Sequence, residues 1–339
     1  MKTKWGWLAA AAAALVVACA PAAQDEETPE AAPEQVAVTG PRPSIADSAA
    51  LIQGDTIAGM PSWTEQDWRL LRWTVAWAWE NRVDTLPIGE RVGRIGETFV
   101  GSVYIPATLE APGPEHVVIN LRALDCVTFI ENALALAHFV RQAPRDVLDR
   151  REDAMRTYQD LITRLRYRDA RLDGYPSRLH YFSEWLADNE RRGALDIVTQ
   201  ELGGVVDPEP ISFMTGHRGA YRQLSDQAFY DEIGRIEERL NRSPRHYIPE
   251  QGVAAVADRI QTGDVIAATS TLAGLDVAHT GIALWKDGEL HLMHAPLVGK
   301  SVEISELPLA ERLLDIRAQD GIMVARPLEG PLEGPLDGR

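Results

Sequence analysis

The sequence predicts an α+β protein, on three observations. Between residues 62 and 240 apolar positions recur at helical spacing, and several helix caps are recognisable. After residue 263 the pattern changes to short apolar strands, two of them joined by an Asp-Gly hairpin turn. Between these parts lies Ala123-Leu124-Asp125-Cys126-Val127-Thr128-Phe129, a cysteine that follows an aspartate and opens an apolar, helix-periodic run. Helices first and an antiparallel meander after them is the α+β order, with the Cys126 helix packed on the sheet.

The chain has 339 residues and a net charge of −16, so it has no basic face with which to neutralise phosphates, and nucleic acid is excluded as a partner. Lys2 and Lys4 precede an apolar segment, Leu8 to Val17, that is too short to span a bilayer and reads as a signal peptide, residues 1–18. It ends in Val16-Val17-Ala18-Cys19, which resembles the lipobox of bacterial lipoproteins. The resemblance implies lipidation at Cys19 and a membrane anchor, with Ala20 compatible with the outer membrane. Residues 19–60 are rich in Ala, Pro, Glu and Gln and read as a disordered tether.

A folded domain is expected over 61–326. Ser62 opens its first helix, with Glu65 as capping-box partner, and the helix runs through Trp68, Leu71, Trp73, Trp77 and Trp79. A short helix is expected over about 90–99 and a strand at Val117–Ile119. Helices follow over Cys126 onward, over Arg151 to Arg166, from Arg178 through Leu186, and over Ser225 to Leu240. The strands expected are Val265 to Ala268, His279 to Trp285, and Glu289 to Ala295, the last two joined through Asp287-Gly288. The tail 327–339 is a threefold Pro-Leu-Glu/Asp-Gly repeat with little apolar content, read as low-complexity.

The chain has only two cysteines. With Cys19 lipidated, Cys126 has no partner, and an unpaired thiol in an oxidising compartment is a candidate nucleophile. Its place in the first turn of a helix capped by Asp125 favours the thiolate through the helix dipole. Such a nucleophile needs a base and the base an orienting group. His279 opens one strand of the hairpin; His291 and His294 lie on the other, three residues apart and so on opposite faces. Only one of them can meet His279.

Asp125-Cys126-Val127-Thr128-Phe129, Gly263-Asp264-Val265-Ile266, His279-Thr280-Gly281-Ile282-Ala283 and Met293-His294-Ala295 resemble, in that order, the blocks of NlpC-type papain-like cell-wall hydrolases. More closely, the chain resembles the N-acetylmuramoyl-L-alanine amidase-like family of that clan. That resemblance is carried also by Leu86-Pro87-Ile88-Gly89-Glu90-Arg91, Arg178-Leu179-His180-Tyr181-Phe182 and Gly274-Leu275-Asp276-Val277-Ala278-His279, and spans about residues 65–326. It implies Cys126 as nucleophile, His279 as general base and His294 as orienting residue, with His291 the competitor for that place. Tyr104 would frame the site, and Arg178, His180 and Tyr181 would meet substrate. No metal or cofactor is implied.

The reaction implied is hydrolysis of the muramoyl-L-alanine amide of peptidoglycan fragments through a thioester, in the periplasm. Three alternatives stay open. One is a γ-D-glutamyl–diamino-acid endopeptidase of the same clan; the second is a zinc amidase on His279, His291 and His294. The third is a non-catalytic cell-wall-binding lipoprotein.

Overall fold

Thr64, rather than Ser62, starts the first helix. The structure, a computed structural model, describes residues 56–297 and 301–334. The expected signal peptide, Cys19 and most of the expected tether lie outside them. Thr56–Ile57 (β1) and Met60–Thr64 (β2) already pair antiparallel, so ordered backbone begins ahead of residue 61 and Ser62 belongs to a strand. Thr64 Oγ1 accepts the Asp67 amide at 3.2 Å and donates to Asp67 Oδ2 at 2.6 Å, capping Glu65–Glu80 (α1).

Ile88–Glu97 (α2) is followed by Cys126–Gln142 (α3), which Asp125 caps as the sequence predicts. Asp125 Oδ1 accepts the Thr128 amide at 2.8 Å while Thr128 Oγ1 accepts the Asp125 amide at 2.9 Å, a reciprocal capping box. Arg151–Arg166 (α4) spans the residues expected. Phe182–Arg191 (α5) starts four residues later than expected, because residues 175–177 form a tight turn and Arg178 to Tyr181 stay extended or non-helical. Gln227–Leu240 (α6) is capped by Asp226, whose Oδ1 accepts the Ala228 amide at 2.8 Å.

Val103–Tyr104 (β3) pairs in parallel with Ala123–Leu124 (β4), directly before Cys126. Val117 to Ile119 joins no strand. Leu195–Ile197 (β5), Val205–Asp207 (β6), Arg245–Pro249 (β7), Val265–Ser270 (β8), Val277–Lys286 (β9), Glu289–His294 (β10), Glu303–Ile304 (β11) and Gln319–Pro327 (β12) form one antiparallel sheet. Its order is β11-β10-β9-β8-β12-β7-β6, with β5 also on β12. The sequence reading has the three strands β8 to β10 but not β12, which takes a central place. Asp287 (φ 53) and Gly288 (φ 87) make the two-residue turn between β9 and β10.

Alternation along these strands builds two apolar layers. Val265, Ala267, Ile282, Met293, Met323 and Ala325 join one core with Phe129, Ala133 and Leu136 of α3. Ile266, Ala268, Ala283, Leu292, Ile322 and Val324 pack on the other face with Leu309 and Leu313 of Leu309–Leu314 (α7). The first layer is locked by a close approach: a Cβ on Gly263 (φ +91) would stand 2.1 Å from the Gly89 carbonyl oxygen. Only glycine allows both that φ and that contact. Gly89 and Gly263, 174 residues apart, thus meet backbone to backbone, and Arg91 beside them donates to Leu86 O at 2.9 Å and Ala137 O at 3.2 Å.

The tail departs from its low-complexity reading. Glu329 pairs with buried Arg91 at 2.8 Å, Gly330 O accepts from Gln142 at 2.8 Å, and Leu332 is 2% exposed against the core. One leucine per repeat is too little for a core of its own, yet enough to seal a seam between helices already formed. Residues 328–334 are a strap on the helical layer.

Candidate active site

Cys126 occupies the first position of α3, part-exposed and free. Its thiol lies against Thr280 of β9, whose hydroxyl and backbone amide both favour the charged form; that hydroxyl is buried and has no other hydrogen-bond partner among the described residues. These contacts do not win. Burial pushes the thiol up to about 11, and the Asp125 carboxylate pushes the same way. The helix dipole invoked from sequence is outweighed: desolvation and a neighbouring negative charge both penalise a thiolate. At neutral pH the group is a thiol.

Thr280 follows His279. Ala278 stands unpaired in a bulge between the Ala268–His279 and Thr269–Val277 pairs, immediately before the histidine, and such bulges re-aim side chains. His279 Nε2 and His294 Nδ1 are 2.8 Å apart, their rings at 86°. Burial, with Arg312 adding to it, holds His279 down to about 3; burial, then His279 and Arg312, holds His294 down to about 2. Both imidazoles are neutral. His291, on the other face of β10, turns Nδ1 to Ser305 O at 2.9 Å. Of the two candidates left open by the sequence, His294 is therefore the one that meets His279.

Tyr104 stands opposite Leu124 in the β3–β4 pair. Burial, then the nearby Cys126 and Asp125, raises its phenol above the usual range, so it remains a hydrogen-bond donor at the edge of the site. The thiol, Thr280 and the Tyr104 phenol thus meet at the start of α3, and the imidazole pair is carried on the same hairpin, one residue along β9 from Thr280.

The AmiA-like profile, described as N-acetylmuramoyl-L-alanine amidase-like, matches residues 94–322. The chain belongs to that family. A Bacteroides uniformis structure named N-acetylmuramoyl-L-alanine amidase is 34% identical over 71% of this chain and 99% of that one, with TM-score 0.65. A Bacteroides fragilis protein named as a candidate xylanase is 33% identical over 68% of this chain and 98% of that one, with TM-score 0.59. A Legionella pneumophila protein, 19% identical over 76% of this chain and 94% of that one, TM-score 0.55, shares the fold. No curated protein matches.

The remaining candidate residues of this AmiA-like chain are held internally. Arg178 is 6% exposed, paired with Glu110 at 2.6 Å and Glu115 at 3.1 Å, and stacked on Tyr175. His180 Nε2 is bonded to Tyr175 O at 2.9 Å, and burial holds the ring neutral. Tyr181 is 2% exposed, donates to Glu237 at 2.7 Å and accepts the Met214 amide at 2.8 Å. His180 and Tyr181 shape the scaffold. Glu110, the partner of Arg178, lines a groove of about 400 Å³ with Ile105, Thr108, His116, Asn120 and Arg122. Its lining includes Ile105, the residue after Tyr104. A larger cavity, about 720 Å³, lies among Arg168, Asp173, Arg191 and Glu333 and contains none of the groups around Cys126.

Asp276 ties the start of α5 to the start of β9. Its Oδ2 accepts the Ser183 amide at 2.8 Å, capping α5 from outside, and its Oδ1 accepts the Val277 amide at 2.8 Å, two residues before His279. Asp276→Ala strands the buried Ser183 amide and the part-buried Val277 amide, and is expected to cost about 1–3 kcal/mol in denaturant unfolding, with Asp276→Asn losing less. An alanine variant as stable as the parent would refute this role. Asp276 stood in a sequence block without an assigned task, and Thr280 stood beside the histidine; neither carries a local signal of its partner.

Proposed function

We propose that this AmiA-like protein is a cysteine-dependent amidase that cleaves the N-acetylmuramoyl-L-alanine bond of peptidoglycan fragments on a papain-like core. The observation that carries this reading is the Cys126 thiol set against Thr280 at the start of α3, with the 2.8 Å His279–His294 pair beginning at the preceding residue of the same strand. Family membership and the name of the Bacteroides uniformis relative supply the substrate class.

His279 Nε2 faces His294, which leaves Nδ1 as the ring nitrogen able to take a proton. As Cys126 Sγ attacks the lactyl carbonyl carbon, its proton passes to Nδ1; a base is required because the resting thiol is neutral. Backbone N–H groups at the start of α3 stabilise the oxyanion. Collapse breaks the C–N bond, His279 returns the proton to the leaving alanine nitrogen, and a thioester remains. Water, deprotonated by His279, attacks the thioester and releases the lactyl carboxylate and the thiol. His294 holds the base in register, and Tyr104 donates from the rim.

A glycosidase reading would need two carboxyl groups across the scissile bond; the carboxylate beside Cys126, Asp125, is committed to capping α3. Lipidation at Cys19 and an outer-membrane, periplasmic location complete the proposal, and the mass of the mature N-terminus tests the anchor.

The decisive assay is mass spectrometry of a defined anhydromuropeptide incubated with the protein and with Cys126→Ala. Free disaccharide and intact stem peptide are expected from the parent only. Cleavage after the γ-D-glutamyl residue would move the scissile bond to the endopeptidase alternative. Equal cleavage by both proteins would end the cysteine mechanism. Muropeptide bound but uncut by the parent would make the protein a binding module.

A further inference from the structure

We propose that Glu303 is a positioning residue that fixes the tautomer of the histidine pair, so that His279 offers Cys126 a lone pair rather than a proton. The proposal rests on the reading of Cys126 and His279 as nucleophile and base. β11 sets Glu303 directly opposite His294 in the β10–β11 register. Glu303 Oε1 stands 3.8 Å from His294 Nε2, which is shut off from solvent and has no hydrogen-bond partner among the described residues. A buried ring nitrogen in that position needs its neighbour to define whether it carries hydrogen.

Two arrangements of the pair are possible, and they differ in everything the base must do. In the first, His279 Nε2–H donates to His294 Nδ1, so His294 carries its own hydrogen on Nε2, aimed at the carboxylate. His279 Nδ1 is then a free lone pair. In the second, His294 Nδ1–H donates to His279 Nε2, and His279 Nδ1 carries hydrogen and cannot act as a base. That arrangement also turns the lone pair of His294 Nε2 toward the Glu303 carboxylate, which is repulsive.

Glu303 therefore selects the first arrangement. Arg312 of α7 is the cation close to Glu303 and to both rings. Having only donors, it cannot accept from His294, so the task falls to the carboxylate. When His279 takes the thiol proton, the same carboxylate also balances the positive charge through the relay.

Glu303 is half exposed, so its substitution does not threaten the core. The test compares Glu303→Gln, which keeps an acceptor, with Glu303→Lys, which presents donors alone. ¹⁵N NMR of the histidine-labelled full chain distinguishes Nδ1–H from Nε2–H rings. His294 is expected as Nε2–H in the parent and Glu303→Gln, and as Nδ1–H in Glu303→Lys. In the lysine variant kcat should fall about a hundredfold with KM unchanged, because a wrong tautomer disables the base without removing it. An unchanged His294 tautomer in Glu303→Lys overturns the proposal, whatever the activity does. A Glu303-dependent tautomer in a protein that turns over no muropeptide would keep the relay and remove the amidase reading instead.

Discussion

Alkylation of Cys126 by iodoacetamide is expected to run about a thousandfold faster at pH 10 than at pH 7, rising tenfold per unit with no plateau between. The thiolate is the reacting form, and a thiol held up at about 11 is ionised in roughly one molecule in ten thousand at pH 7. The direction follows from the site: burial and the Asp125 carboxylate both disfavour the anion, and Thr280 only partly offsets them. His279, held neutral down to about 3, supplies no positive charge that would create an ion pair. A Cys19→Ser chain leaves Cys126 as its single cysteine, and the rate can be followed by intact mass. Thr280→Val, of similar shape without the hydroxyl, should slow the reaction further at every pH. A flat profile from about pH 5 upward would mean a resting thiolate–imidazolium pair, and would overturn the neutral pair described here. The consequence for catalysis is specific. The nucleophile is made during attack, by transfer to His279, rather than stored beforehand.

What the sequence made legible was local. Asp125 and Thr128 satisfy each other within four residues, and Asp287-Gly288 closes a turn of two, so the α3 start and the β9–β10 hairpin could be read from adjacent letters. Alternation on β10 likewise separated His291 from His294 before any partner was known. What escaped the sequence depends on distant partners. Gln319–Pro327 reads as an apolar run, and only its neighbours β8 and β7 make it a central strand. Leu332 is a lone leucine in a repeat until the helical layer offers it a slot. Ser62 is a good cap by type, but strand pairing of β2 with β1 takes it, and the next hydroxyl, Thr64, does the work. The thiol misled for a related reason: the helix start is visible in the sequence, whereas the degree of desolvation around Sγ is not. His180 and Tyr181 stood in a block shared with the family, yet their polar atoms meet Tyr175, Glu237 and Met214. A family block can hold a site in place without touching its substrate.

The block around the nucleophile shows this most clearly, and it predicts the largest loss of stability. Glu131, five residues after Cys126, accepts from Arg166 of α4 at 2.7 Å; the two side chains are 1% and 3% exposed. Arg166 also donates to Val118 O at 2.6 Å, tying α3, α4 and the preceding loop together. Next to it, Asn132 accepts from Tyr158 at 2.6 Å and donates to Thr128 O at 2.7 Å. Arg166→Met is expected to cost about 3–5 kcal/mol, because it leaves a carboxylate buried without its partner. Glu131→Gln with Arg166→Met should recover a substantial part, since no charge then remains to be desolvated. The loss should also depend on pH with a definite sign. Burial already raises Glu131 above the usual carboxylate range while Arg166 opposes it, so removing the arginine raises it further. The variant's native state then binds a proton that its unfolded state, near the ordinary 4.5, releases. Its deficit is therefore smallest below that value and grows as pH rises through the folded pKa. Urea unfolding of the single and double variants between pH 4 and 8 measures both effects. A deficit independent of pH would mean that Glu131 is not the group left behind. If the single variant proved as stable as the parent, the Glu131–Arg166 pair would not be what holds α3, and with it Cys126, against the rest of the fold.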